Sequence, residues 1–105
     1  MAKVVWTDSA IEDLNEIGEY IANDSERYAQ LVVERLFLSV DILETNPYSG
    51  KRNNEFGNEK IRELIRKNYR IVYHIVSKAQ VDILSIHRTE RLLGNAYDFS
   101  DFDDQ

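Results

Sequence analysis

Residues 62–75 read "RELIRKNYRIVYHI", and the way this stretch folds decides the rest of the chain. Two runs rich in β-branched and aromatic residues flank Lys67-Asn68, a pair short enough to be a hairpin turn. Side chains alternate along a strand, so Tyr69, Ile71, Tyr73 and Ile75 share one face and Arg70, Val72, His74 and Val76 the other. The tyrosine and isoleucine face has to be covered, which leaves the Arg70/His74 face looking outward. Arg62, Arg66, Lys67, Arg70 and His74 all fall in this stretch. That is more positive charge than a sheet needs in order to cover a core.

The run at residues 81–87 follows after "SKAQ", a second hairpin-length connection, so residues 60–66, 69–76 and 81–87 are expected to form an antiparallel meander. Upstream, "KVVWT" at residues 3–7 reads as a short first strand. Ser9-Ala10-Ile11-Glu12 fits a capping box, and Ile11, Leu14, Ile17 and Ile21 recur at helical spacing behind it. Asp24 or Ser25 is placed to cap a second helix, whose apolar stripe is Ala29, Val32, Val33, Leu36, Phe37, Val40 and Leu43. Asn46-Pro47 is expected to end it, because proline lacks the N–H that would continue the helix and disfavours helical geometry before it. The two helices form an αα-hairpin meant to cover one face of the sheet, and residues 48–59 read as an exposed loop. The fold class is α+β: strand, αα-hairpin, three-stranded meander. Residues 1–97 are expected to form one domain, with a last helical turn within 88–97, and residues 98–105 an acidic, disordered tail.

Charge is unevenly shared. The formal net charge is −6, but residues 1–50 carry −7, residues 51–97 carry +5, and the tail "DFSDFDDQ" carries −4. Such asymmetry is the footprint of a face that meets an anion or an acidic partner, although solvated faces also drift in sign. With no cysteine there is no disulfide and no thiolate zinc site. His74 and His87 have no spaced carboxylate partner, and the tail lacks the glycine and closing glutamate of a calcium loop, so neither a metal nor a cofactor is expected. The N-terminal segment does not read as a secretory signal, and no apolar run approaches the ~20 residues that span a bilayer. The expectation is a small soluble cytoplasmic protein.

Arg70 is the leading candidate for function. A guanidinium in mid-strand offers a fixed fork of donors that matches phosphate; the alternative is an ion pair with Glu63 or Asp82. Arg62 and Arg66 share one face of their own strand and are candidates to widen the same patch. His87 closes the last strand beside Arg88 and Arg91, where it is placed to act as a general acid or to serve as a structural hydrogen-bonding group. Glu55, in the polar loop, is a candidate general base if the loop folds over the sheet.

Four segments in order, "VVWTDSAIEDLNEIGEYIA", "LETNPYSGKR", "IRELIRKNYRIVYHI" and "VDILSIHRTERLL", resemble the RelE/ParE superfamily of bacterial type II toxin–antitoxin toxins over about residues 3–93. The resemblance implies the fold deduced above, a cognate antitoxin able to form a hetero-oligomer with the toxin, and one of two targets. ParE-like members poison DNA gyrase and need no nuclease residues. RelE-like and YoeB-like members cut mRNA on the ribosome; for them Glu55 matches the base, Arg70 the strand arginine, and His87 or Arg88 lies near the acid end. This chain lacks the terminal His-Tyr and the clustered lysines of the nucleases, and its "NP.SG.R" loop is ParE-like in style. The resemblance therefore implies a ParE-like gyrase inhibitor, with a ribosome-dependent endoribonuclease as the alternative. Binding residues on either view are Arg62, Arg66, Tyr73, Arg88 and Arg91.

Overall fold

The computed structural model describes residues 1–89. The chain order is β1 (Lys3–Trp6), α1 (Asp8–Ala22), α2 (Glu26–Ser39), β2 (Lys51–Arg52), β3 (Ile61–Arg66), β4 (Tyr69–Ser77) and β5 (Gln80–Arg88), with short 3₁₀ turns at Asp41–Glu44, Pro47–Ser49 and Asn54–Phe56. α1 starts two residues earlier than the capping box suggests. Thr7, not Ser9, is its N-cap, accepting from the Ala10 N–H at 3.2 Å while donating to the Ile83 carbonyl at 2.7 Å. One hydroxyl thus both starts the helix and ties it to the sheet. Ser25 caps α2, accepting from the Tyr28 N–H at 3.1 Å. That helix ends at Ser39, well before Pro47, and the Ser39 hydroxyl bonds back to the Leu36 carbonyl at 2.7 Å. Val40 and Leu43, expected as its last core positions, are buried between α2 and the 3₁₀ turn that follows and on that turn, respectively.

The meander at β3, β4 and β5 is as expected, but it is extended at both edges into a five-stranded sheet of order β1-β5-β4-β3-β2. β1 lies parallel to β5, with Val4 opposite Val81 and Trp6 opposite Ile83. Lys51 and Arg52, expected in a loop, pair with Glu63 and Arg62 as a two-residue strand. Both helices cover one face of this sheet, and the core forms where Leu14, Ile21, Val32 and Leu36 meet Leu64, Ile71, Tyr73, Val81 and Ile83. Phe37 is an exception to the expected stripe: it is about half exposed and stacks on Trp6, ring centroids 5.3 Å apart, at the β1 edge. Gly18 permits the helix contact, since a Cβ there would come within 3.0 Å of Val33. No helix among the described residues is long and apolar enough to cross a membrane.

One irregularity positions the site. Val72 pairs with Ser85 but Tyr73 pairs with Ile83, so Leu84 is an extra residue in β5. The bulge shifts the alternation of everything beyond it. Simple alternation from Val81 and Ile83 would send Ser85 and His87 inward; instead Ile86 points inward opposite Ile71, and His87 comes out opposite Arg70. The Asp13 carboxylate of α1 accepts from the Ile86 N–H at 2.9 Å and anchors the helix at this distortion.

Candidate functional site

Arg70 and His87 are directly opposed in neighbouring strands on the face of the sheet away from the helices. The Ser85 hydroxyl, on the same strand face, lies 2.9 Å from His87 Nε2. Glu63, diagonal to Arg70 across β3, puts a carboxylate oxygen 3.5 Å from its Nε. The pairing is asymmetric: the Arg70 side chain is 36% exposed, whereas that of Glu63 is 4% exposed. A buried carboxylate without a cation is costly, so Glu63 holds the guanidinium against the sheet. Of the two carboxylates the sequence offered as partners, Glu63 engages Arg70. Asp82 accepts instead from the Gln80 side chain at 2.8 Å.

Arg62 and Arg66 do not join this patch. They pair with Tyr73 and Tyr69, the tyrosines of the covered face, and so project from the opposite side. Arg62 reaches the 47–50 corner, donating to the Gly50 carbonyl at 3.0 Å, and also donates to the Glu59 carbonyl just before β3 at 3.1 Å. Its guanidinium lies over the Tyr48 ring, 4.8 Å from the centroid. Tyr73, expected at a binding surface, is fully buried below it. Its hydroxyl donates to the Pro47 carbonyl at 2.7 Å and accepts from the Gly50 N–H at 2.9 Å. Burial pushes its pKa above 10.0, with the Gly50 hydrogen bond and the Arg62 charge pulling the other way. Only glycine fits at position 50, since a Cβ would fall 2.5 Å from the Tyr73 hydroxyl and 2.8 Å from the Glu63 carbonyl. Arg66 donates to the Ile65 carbonyl at 3.0 Å.

Arg88 also lies on the helix side, opposite Tyr69, with its guanidinium 5.3 Å from the centroid of the Tyr20 ring. Together with Asp13, Glu16, Ile17 and Ile86 these residues line a groove of 170 Å³ beside α1. Burial raises the Tyr69 pKa, opposed by the Arg88 charge and reinforced slightly by Tyr20. Tyr20 and Asp13 did not stand out in the sequence. Only the docking of α1 on β5 gives them partners. Glu55 is exposed on the 54–56 turn, where its own N–H is bound by the Asn53 side chain at 2.9 Å. Its carboxylate makes no hydrogen bond or ion pair with any described residue, Arg70 and His87 included. Arg91 lies outside the described residues. Among the described residues no group of three or more His, Cys, Asp or Glu side chains is arranged to hold a metal ion.

Residues 4–93 match the family described as ParE toxin of type II toxin-antitoxin system, parDE. The chain is 33% identical over 92 residues to the protein named Toxin RelE2 of Caulobacter vibrioides, covering 88% of this chain and all of that one. A solved structure, the chromosomal ParDE TA system from P. aeruginosa, has the same fold: TM-score 0.70 at 24% identity, over 86% of this chain and 98% of that chain. With a match that runs from β1 through the last described strand, the chain belongs to the ParE toxin family of type II toxin–antitoxin systems, within the RelE/ParE superfamily.

Proposed function

We propose that the chain is a ParE-like inhibitor of DNA gyrase, kept inactive in the cytoplasm by a cognate antitoxin and carrying no bond-breaking chemistry of its own. The observation that carries this reading is that Glu55, the candidate base, stands apart from Arg70 and His87, which oppose each other on the open sheet face. Arg70 is committed to buried Glu63, Glu55 sits exposed on a separate turn, and Arg62 and Arg66 project from the other face. General acid–base cleavage needs its acid and base within reach of one reacting phosphate. The antitoxin would bring basic residues to the half of the chain that carries −7, folding over it as such segments do on binding.

A second reading has one specific observation behind it. Arg70, His87 and Ser85 do converge on the open sheet face, an arrangement suited to holding an RNA phosphate beside a proton donor. The deciding experiment sets gyrase supercoiling and cleavage-complex assays beside cleavage of ribosome-bound mRNA, with wild type and Arg70→Ala. The gyrase reading expects wild-type inhibition of gyrase, no mRNA cleavage, and retained toxicity in folded Arg70→Ala. Ribosome-dependent cleavage that falls ~10²-fold in Arg70→Ala, and is poorly rescued by Arg70→Lys, would replace it with the nuclease reading.

A further inference from the structure

The bulge at Leu84 brings out two side chains that plain alternation would have buried. Ser85 and His87 follow it on β5 and stand on the open face, the Ser85 hydroxyl 2.9 Å from His87 Nε2. Bulges commonly re-aim side chains in this way beside functional sites. His87 lies opposite Arg70, and Ser85 opposite Val72, which is 5% exposed and forms the floor between Ser85 and Glu63. The Glu63 carboxylate stands 3.5 Å from Arg70 Nε. That is longer than an ordinary N–H···O hydrogen bond, and both atoms are buried without one. Glu63 therefore restrains the Nε side of the guanidinium by charge. Neither terminal nitrogen of Arg70 donates to any described residue.

These groups are donors with unused capacity. The Arg70 fork can give two parallel hydrogen bonds to one tetrahedral oxyanion. Ser85 and His87 add a third from the neighbouring strand. With the imidazole protonated, Nε2 can only donate to the Ser85 oxygen, which turns the hydroxyl proton outward. Donors arriving in this way from two strands call for three terminal oxygens. A phosphomonoester has them, whereas a phosphodiester has only two. Nor does the surrounding face offer a platform on which bases stack. Ile65 flanks Arg70 there, Ile61 and Asp82 flank His74, and no Phe, Tyr or Trp stands in these rows.

We propose that Arg70, Ser85 and His87 bind the terminal phosphate of a small phosphomonoester, with Glu63 as the buried tether that keeps the fork in place. Inorganic phosphate, a sugar phosphate and a nucleoside monophosphate present the same group, and the site reads that group alone. Binding breaks no bond, so it is compatible with a gyrase inhibitor. The ligand differs from that of the RNA reading, being a phosphate end and not an internal phosphodiester. Neither reading of the cellular target is needed for it.

The chain has 2 histidines, so His74, on the same sheet face, serves as an internal control. In proton NMR of the full chain at fixed pH and ionic strength, the His87 ring signals should move saturably with inorganic phosphate and with glycerol 3-phosphate. Those of His74 should stay. Dimethyl phosphate should bind ~10-fold more weakly, having lost one acceptor for a charged donor set. Adenosine monophosphate should bind within a few-fold of glycerol 3-phosphate, since no base is contacted. Arg70→Ala should abolish the saturable shift. Arg70→Lys should weaken it, because a point charge does not reproduce the fork, and Ser85→Ala should weaken it several-fold. These two milder variants decide the matter should Arg70→Ala, with Glu63 stranded, fail to fold. No saturable shift, equal movement of His74, a diester bound as well as the monoester, or binding unaffected by Arg70→Lys and Ser85→Ala would each overturn the proposal. Gyrase and ribosome play no part in the readout, so a failure here leaves the gyrase reading untouched.

Discussion

Arg62 and Arg70 carry the same guanidinium on adjacent antiparallel strands and have opposite roles. Arg62 shares its face with Tyr73, the Tyr48 ring and the carbonyls of the 47–50 corner, and it locks a loop. Arg70 stands on the open face opposite His87, and a buried glutamate restrains it. The difference lies in strand parity alone. A charge count in this stretch measures how much cation is present, but register decides what it meets. The positive charge of β3 and β4 is therefore two half-size features on opposite sides of the sheet.

The largest effect should come from breaking the Arg62 side at its buried support. Tyr73→Ala removes a fully buried ring together with the hydroxyl that ties Pro47 to Gly50, and should cost about 3–5 kcal/mol. Tyr73→Phe keeps the ring but leaves the Pro47 carbonyl and the Gly50 N–H without their partner, at about 1–3 kcal/mol. Chemical denaturation of both variants measures the two steps. If Tyr73→Phe matches wild type, the hydroxyl does not hold the corner, and Arg62 loses its assigned setting.

On the open side the expected effect is smaller. Arg70→Ala strands the Glu63 carboxylate, but Arg70 is 36% exposed and water can approach, so the cost should be about 1–3 kcal/mol rather than that of a fully buried pair. Glu63→Gln in the Arg70→Ala background removes the stranded charge and should recover part of the loss. A double-mutant cycle on melting curves reads the coupling. Additive losses would mean that the 3.5 Å contact contributes no pairing energy and that Arg70 is free to serve a ligand.

The two sides also differ in how legible they were. Alternation in "YRIVYHI" correctly sorted Tyr69, Ile71, Tyr73 and Ile75 to the core, because a covered strand has to show its period. The same alternation, applied to Arg62 and Arg66, would have separated them from Arg70, since the register of a two-residue turn fixes which residues pair. His87 was legible as a residue and not as a neighbour of Arg70. The Leu84 bulge that turns it outward leaves no mark in "VDILSIHR", a run compatible with either parity. The β2 pairing was hidden for another reason: two residues of strand carry no periodicity, and only Gly50, forced by the Tyr73 hydroxyl, signals the close approach. Thr7 was missed because its value as a cap depends on a second bond to β5, which no local motif encodes.

Alkaline titration separates the two sides without altering the arginines. Burial raises the pKa of both Tyr73 and Tyr69 above 10.0, so the folded chain holds these phenolic protons more tightly than the unfolded chain does. Their contribution is fully present below the unfolded value and is lost as pH rises through the folded values. Stability should therefore decline above about pH 10, and Tyr73→Phe should flatten the decline even though it lowers stability at neutral pH. Denaturation midpoints from pH 8 to 11 test this. An unchanged slope in Tyr73→Phe would assign the alkaline loss to Tyr69 and the Arg88 groove.

Removing residues 98–105 should have the smallest effect on folding. These residues lie outside the described part of the chain, and the core is already closed without them: Leu36, Leu43, Ile71, Tyr73 and Ile83 are all fully buried within residues 1–89. A segment with four aspartates and two phenylalanines among eight residues adds little apolar area. Exposed ion pairs contribute only a few tenths of a kcal/mol each. Deletion should therefore shift the melting temperature by no more than a few degrees, with a slightly larger shift at low salt than at high salt. A drop of ten degrees or more would make the segment part of the core packing and would move the boundary of the domain to its last residue.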